Sequence, residues 1–158
     1  MGFGLVRIDD RLVHGQVMAV WCKTLGTNRI VIADDDVAED SFLQKVMRLA
    51  APPGVKVEVY SVSDSVGILS APEAQNPRTT VLVKNPRNAA ALVRAGVKIE
   101  CLNVGGMGAR PGRKQLFRNV SASPEEVELL KEIQASGVEV VFRIVPDERG
   151  TALSAVIK

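Results

Sequence analysis

One histidine, two arginines and two aspartates fall within Arg7-Ile8-Asp9-Asp10-Arg11-Leu12-Val13-His14, and His14 is the only histidine of the chain. Neutral imidazole is a nucleophile near physiological pH. A guanidinium offers a planar set of donors that matches phosphate oxygens. A carboxylate that accepts the proton of one ring nitrogen fixes the tautomer and leaves the other nitrogen free to attack. These residue types at this spacing point to a histidine that handles a phosphoryl group. Arg11 and Arg7 are then the candidate phosphate contacts, and Asp9 or Asp10 the candidate orienting carboxylate. Gly15 lets the backbone approach closely, and the amides around His14 to Gln16 form a candidate cradle. The competing reading is structural, with Arg7 paired to Asp9 or Asp10 across a loop and His14 capping a helix.

The surrounding elements decide between these readings by where they put His14. Phe3 to Ile8 reads as a short buried strand, and Gly15 to Leu25 carries Val17, Val20, Trp21 and Leu25 at helical spacing before Gly26 stops it. His14 therefore stands between a strand's carboxyl end and a helix N-terminus, a position where ligands bind in open α/β sheets and where anions are favoured. The N-terminal helix field disfavours imidazolium and stabilises an attached phosphate.

The same alternation continues. Arg29 to Ala33 is an apolar, β-branched run suited to a strand covered on both faces. The acidic triplet Asp34-Asp35-Asp36 follows, and Asp36 with Glu39 has capping-box spacing for one helix through about Ala50, so turn and cap chemistry is expected there rather than a metal site. Val55 to Tyr60 and Thr79 to Lys84 read as strands, with a short helix over Ser63 to Leu69 between them. Asn85-Pro86 is a turn before a helix over Asn88 to Arg94, closed by Gly96 ahead of a strand over Lys98 to Asn103. A strand is expected near Gln115 to Val120. Ser123-Pro124-Glu125-Glu126 starts a helix that runs to about Ala135. Val138 to Val145 is the last strand, at an edge, and residues 150 to 158 read as a loose terminal segment. The whole is one α/β domain over 1–158: an open, mainly parallel twisted sheet, with the last strand as the candidate antiparallel edge.

Composition excludes several classes. Hydrophobic residues make up 46% and charged residues 24%, which suits a packed globular domain. With 20 basic and 18 acidic side chains the net charge is only +2, and the 4% of aromatics are scattered in the manner of core residues, so nucleic-acid binding has no support. Cys22 and Cys101 lie far apart without ligand spacing and read as two buried free thiols; no metal site is expected. No apolar run reaches the ~20 residues of a membrane span, and no signal-like segment opens the chain, so a cytoplasmic location is expected. Gly106-Met107-Gly108-Ala109-Arg110-Pro111 lacks the third glycine of a dinucleotide fingerprint, and no Walker-type lysine follows. No cofactor is expected.

The stretch Arg7 to Val17, together with Asn103-Val104-Gly105-Gly106-Met107 and Arg113-Lys114-Gln115, resembles the IIB components of the mannose/fructose/sorbose family of the bacterial phosphoenolpyruvate-dependent sugar phosphotransferase system. The likeness extends over essentially the whole chain, including the Asn85-Pro86 turn. It implies an open parallel sheet with helices on both faces, and a protein-N(pi)-phosphohistidine–sugar phosphotransferase role. His14 would accept a phosphoryl group from a phosphorylated IIA protein or domain and pass it to a sugar during uptake through membrane IIC and IID subunits. By the same matching, Arg11 contacts the phosphate and Asp9 orders the loop, while the amides of Gly105 and Gly106 lie near enough to help hold phosphate. Gly108-Ala109 departs from the aromatic residue that often follows the Asn-Val-Gly-Gly-Met motif in that family. The residues alone leave open the sugar, the phosphorylated ring nitrogen and self-association. A phosphate-sensing module and a small phosphatase remain the rival functions.

Overall fold

A computed structural model describes residues 2–157. Strand β1 (Leu5–Asp9) leads through the His14 loop to helix α1 (Gly15–Leu25), followed by β2 (Arg29–Ala33), α2 (Asp35–Ala38), α3 (Ser41–Ala50), β3 (Lys56–Tyr60) and α4 (Val62–Ser70). Then come β4 (Thr79–Val83), α5 (Pro86–Arg94), β5 (Cys101–Gly106), the hairpin β6 (Lys114–Phe117) and β7 (Val120–Ala122), α6 (Pro124–Ala135), β8 (Glu139–Phe142), β9 (Thr151–Ala152) and α7 (Leu153–Val156). Among the described residues, seven strands form one sheet in the order β3-β2-β4-β1-β5-β8-β9. All neighbours are parallel except β8 and β9.

Two apolar layers hold this sheet. Leu69, Ala89, Leu92, Leu130, Ile133 and Leu153 from the helices pack on one face against Ile8, Val31, Val81 and Val104. Met18, Trp21 and Cys22 of α1, with Val37 and the half-buried Leu43 and Met47, cover Leu5, Ile30, Ile32 and Leu82 on the other. Burial on both sides is why β2 and β4 read as near-continuous apolar runs. Strand β1 lies between β4 and β5. The chain leaves β1 toward β2 on one side and leaves β5 toward β8 on the other, so the crevice between the ends of β1 and β5 is a topological switch point.

Local signals place most boundaries. Gly26 closes α1 in the left-handed conformation at φ 65°. Asn85 and Ser61 cap their helices, and Ser123 with Glu126 forms a full capping box.

Several expectations are corrected. The segment after β2 is two helices, not one: Asp34 caps α2 through the Val37 amide and Asp40 caps α3 through the Leu43 amide, so Asp36 caps nothing. Strand β5 starts at Cys101, later than Lys98, and runs through both glycines to Gly106; Val97 and Ile99 reach the core from a connecting segment instead. The expected strand near Gln115 to Val120 is the β6–β7 hairpin. Strand β8 is shorter than Val138 to Val145 and is not the edge, because β9 pairs antiparallel along it. Residues 150–157 are therefore not loose, and Leu153 is fully buried; Lys158 lies outside the described residues. Cys101 is exposed, unlike Cys22. Phe42, 72% exposed, does no core duty, and Val20 points outward, the buried face of α1 being Met18, Trp21 and Cys22.

Because Leu153 fills a closed site, Leu153→Ala is expected to cost about 2–5 kcal/mol of stability. Urea unfolding should show a lower midpoint at an unchanged slope; an unaltered midpoint would mean that the terminal helix contributes no packing.

Candidate functional site

The loop from Asp9 to Gly15 is built around one carboxylate. Asp9 is completely buried at the end of β1, where pairing with β5 shifts register between Ile8 and Asp9. Its Oδ1 accepts a hydrogen bond from the Arg11 amide at 3.1 Å, and its carbonyl accepts from the Leu12 amide at 2.9 Å. These bonds turn the chain sharply enough that Leu12 takes a positive φ of 56°, a conformation costly for a non-glycine residue and held here by burial of the Leu12 side chain. Gly15 at φ 40° completes the second half of the turn into α1.

His14 is the N-cap residue of α1 and gives no side-chain cap to the first-turn amides, so the positive end of the helix is left for another acceptor. Its Nδ1 lies 3.0 Å from the Leu12 carbonyl. Its Nε2 lies 3.8 Å from Asp9 Oδ2, too long for a hydrogen bond, and is enclosed without a partner. Arg11 is 61% exposed, with its Nε 3.8 Å from Asp9 Oδ1, and its guanidinium extends into solvent beside the loop. Gly15 and Gln16 are exposed at the helix start.

Arg7 is differently placed. Its guanidinium is 1% exposed inside the sheet, where Nη1 donates to Asn103 Oδ1 at 2.6 Å and to the Arg143 carbonyl at 2.9 Å, and Nη2 donates to Asp9 Oδ2 at 3.3 Å. Burial pulls its pKa below the usual arginine value, and Asp9 offsets part of that effect. Trp21 lies under it, 5.5 Å from guanidinium carbon to ring centre. On another side a Cβ at Gly105 would fall 1.9 Å from Arg7 Cζ, so only glycine leaves room for the guanidinium. A Cβ at Gly106 would come 3.3 Å from Asp9 Oδ1. Both glycines lie buried within β5 and face these two side chains, below the loop.

Asp10 does not reach His14. Its Oδ2 accepts from the Gly108 amide at 2.7 Å, which ties the loop after β5 to the loop after β1. Arg113 reinforces the same loop by donating to the Gly108 carbonyl and, through two nitrogens, to Glu126 at 2.8 Å. Asn119 donates to the Gly105 carbonyl at 2.9 Å. Of the residues expected to act on phosphate, His14, Arg11, Asp9, Gly15 and Gln16 share one loop, whereas Arg7, Asp10, Gly105 and Gly106 surround and support it. Asn103, Trp21, Arg113 and Asn119 were missed as supporting residues. The alternation Val6-Arg7-Ile8 and Leu102-Asn103-Val104 carries the signal for one pair, since two polar residues inside apolar strands need each other if the strands are neighbours. The acidic triplet after β2 is structural: Asp34 also accepts from Asn88, and Asp35 accepts from the Val62 amide. Among the described residues, no group of three or more histidine, cysteine or acidic side chains could hold a metal ion.

The description "PTS system sorbose subfamily IIB component" matches residues 3–158. The sorbose-specific EIIB component of Klebsiella pneumoniae is 42% identical over 148 residues, which cover 94% of this chain and 90% of that protein. The mannose-specific EIIAB component of Escherichia coli K12 is 39% identical over 143 residues, 90% of this chain but 44% of that longer protein. The crystal structure of the IIBSor domain of the Klebsiella pneumoniae sorbose permease superposes with a TM-score of 0.91 at 40% identity, covering 99% of this chain and 96% of that one.

Glu126 anchors the loop through Arg113. Burial by itself raises its pKa, but Arg113 and the Ser123 amide outweigh burial and hold it below the ordinary 4.5. The folded-state value is depressed, so the stabilisation is present above the unfolded pKa and lost as pH falls through the folded one. Acid titration of thermal stability is expected to be shallower below about pH 4.5 in Glu126→Gln than in the unsubstituted chain; parallel titration curves would show that the pair contributes nothing.

Proposed function

This chain belongs to the sorbose subfamily of IIB components of the sugar phosphotransferase system, a family of phosphotransferases in sugar uptake, and we propose that His14 is its phosphoryl carrier. The reading rests on one arrangement: the sole histidine stands at an uncapped helix N-terminus in the switch-point crevice, beside an exposed arginine and above a buried carboxylate. The chain acts as a single IIB domain that takes its phosphoryl group from a phosphohistidine of a IIA protein or domain. It then delivers the group to a sugar bound by membrane IIC and IID subunits, working at the cytoplasmic face. Among the described residues, no helix is long and apolar enough to cross a membrane.

The reactive nitrogen in this reading is Nδ1, the pi nitrogen. Nε2 is enclosed and faces the Asp9 carboxylate, which would repel an incoming phosphoryl group. Nδ1 lies against the Leu12 carbonyl and donates its proton there, so it becomes a nucleophile when the ring leaves that carbonyl and takes the tautomer with its single proton on Nε2. With its proton on Nε2 and turned to Asp9, the ring presents the Nδ1 lone pair. The Nδ1–P bond forms as the donor's N–P bond breaks, and the donor ring regains its lone pair. Arg11 and the first-turn amides of α1 take up charge on the phosphoryl oxygens. In the second transfer a sugar hydroxyl oxygen attacks phosphorus, the Nδ1–P bond breaks, and the hydroxyl proton passes to a base beside the sugar. Position and charge supply the catalysis, as is general for phosphoryl transfer.

Incubation with IIA phosphorylated by labelled phosphoenolpyruvate is expected to place acid-labile label on this chain, and His14→Ala should take none. Arg11→Ala should retain the site of labelling but slow transfer by about 10²-fold, the usual effect of removing one donor to developing charge. Label that persists in His14→Ala would sink the reading.

A further inference from the structure

Resting on that reading of His14, we infer that Arg7 and Asn103 are positioning residues for the transfer: together they hold the Asp9 carboxylate aimed at Nε2 of His14. Asp9 has no solvent exposure, and a carboxylate so placed gives up its charge unless a cation and donors meet it. Arg7 supplies the cation, with Nη2 on Oδ2, the same oxygen that lies 3.8 Å from His14 Nε2. The other carboxylate oxygen is held by the Arg11 amide, so Asp9 cannot rotate without breaking the loop.

Arg7 in turn cannot leave. Asn103 accepts from Nη1 at 2.6 Å, and its own Nδ2 donates to the Arg143 carbonyl at 3.1 Å, which fixes the amide with its oxygen toward Arg7. The Arg143 carbonyl accepts from Arg7 as well, and the next carbonyl, of Ile144, accepts from Trp21 Nε1 at 2.9 Å. Trp21 belongs to α1, the helix whose N-terminus carries His14. The guanidinium thus lies between the indole of α1 and the bare backbone of Gly105, joined at its edges to β5, the end of β8 and Asp9. Any displacement of Arg7 reaches both ends of the site: Asp9 directly, and α1 through Trp21. Nucleophile and proton holder are kept in one frame by a cation that never meets the phosphate.

Since His14 is the only histidine, every imidazole signal in a nitrogen-15 spectrum belongs to it. Long-range proton–nitrogen correlation should show the phosphorylated chain with its remaining ring proton on Nε2. In Arg7→Gln, Asn103→Ser and Gly105→Ala, the Nε2 resonance should move before and after phosphorylation. Transfer at saturating phospho-IIA should fall by about tenfold or more, the scale of a small misplacement of a reacting group, with the half-saturating IIA concentration unchanged. Arg7→Lys, which keeps the charge, should recover part of the loss relative to Arg7→Gln. If substitution of the buried arginine prevents folding, Gly105→Ala decides, because its added methyl displaces the guanidinium while every polar partner is retained. Folded variants with wild-type resonances and wild-type rates would overturn the positioning role alone. An unsubstituted chain that takes no label from phospho-IIA would overturn the carrier reading itself.

Discussion

A guanidinium taken out of water in the middle of a sheet constrains everything around it. Removing charged groups from solvent costs several kcal/mol per ion unless partners replace the lost hydration. Around Arg7 the replacements come from its own strand, through Asp9, and from three segments distant in sequence: Asn103 and Gly105 of β5, the Arg143 carbonyl beyond β8, and Trp21 of α1. Each can be in place only if β1 lies beside β5, β5 beside β8, and α1 across β1. The buried cation therefore favours one strand order over alternatives with equal apolar burial. Breaking such a set by removing one partner is far more costly than the net worth of the set, which is why a polar cluster can specify a fold it does little to stabilise.

The site follows from the same order. At the switch point the short Asp10 to Gly108 bond joins the loops after β1 and β5, and the Arg113–Glu126 pair holds the second loop in place. The loop after β1 is too short to relax, so it turns through a left-handed leucine and then a left-handed glycine. That turn delivers His14 to the N-cap position just before α1, with no side-chain cap on the first-turn amides. The anion affinity proposed here would be a by-product of ending a strand and starting a helix within a few residues.

How much of this was legible beforehand depends on whether a signal is local. Helix starts at Ser123 and stops at Gly26 depend on neighbours in the chain, and they fall where expected. The turn between β1 and α1 was legible for the same reason, since Asp9, Arg11 and His14 all lie within it or at its ends. The resemblance of the motifs supplied the step from anion site to phosphotransfer. Failures cluster where a distant partner decides. The strand expected to end at Asn103 runs on through Gly105 and Gly106, and side chains at these positions would meet Arg7 and Asp9. Residues 150 to 157 carry few local signals, yet they close the sheet edge and fill its core through Leu153. The segment after β2 reads as one helix because Asp36 and Glu39 have capping-box spacing, whereas Asp34 and Asp40 each cap a separate helix.

Arg7 and Arg11 show how one residue type acquires opposite tasks over four positions. Arg7 lies in a strand whose side chains alternate between two covered faces, so its charge is forced inward and its two terminal nitrogens are paired, while its Nε is buried without a partner. Arg11 follows the strand's end, where no second layer covers it, and 61% of its side chain stays in water. A buried, paired guanidinium cannot also bind a group that comes and goes, because each arrival would have to displace a hydrogen bond worth more in the low-dielectric interior. An exposed guanidinium can, because it exchanges water for phosphate at small cost and gives the phosphate up as readily. A carrier of the proposed kind must hold its phosphoryl group and then release it. Fixed charge beneath the loop and loose charge above it meet both demands, and the divide between them is the end of strand β1.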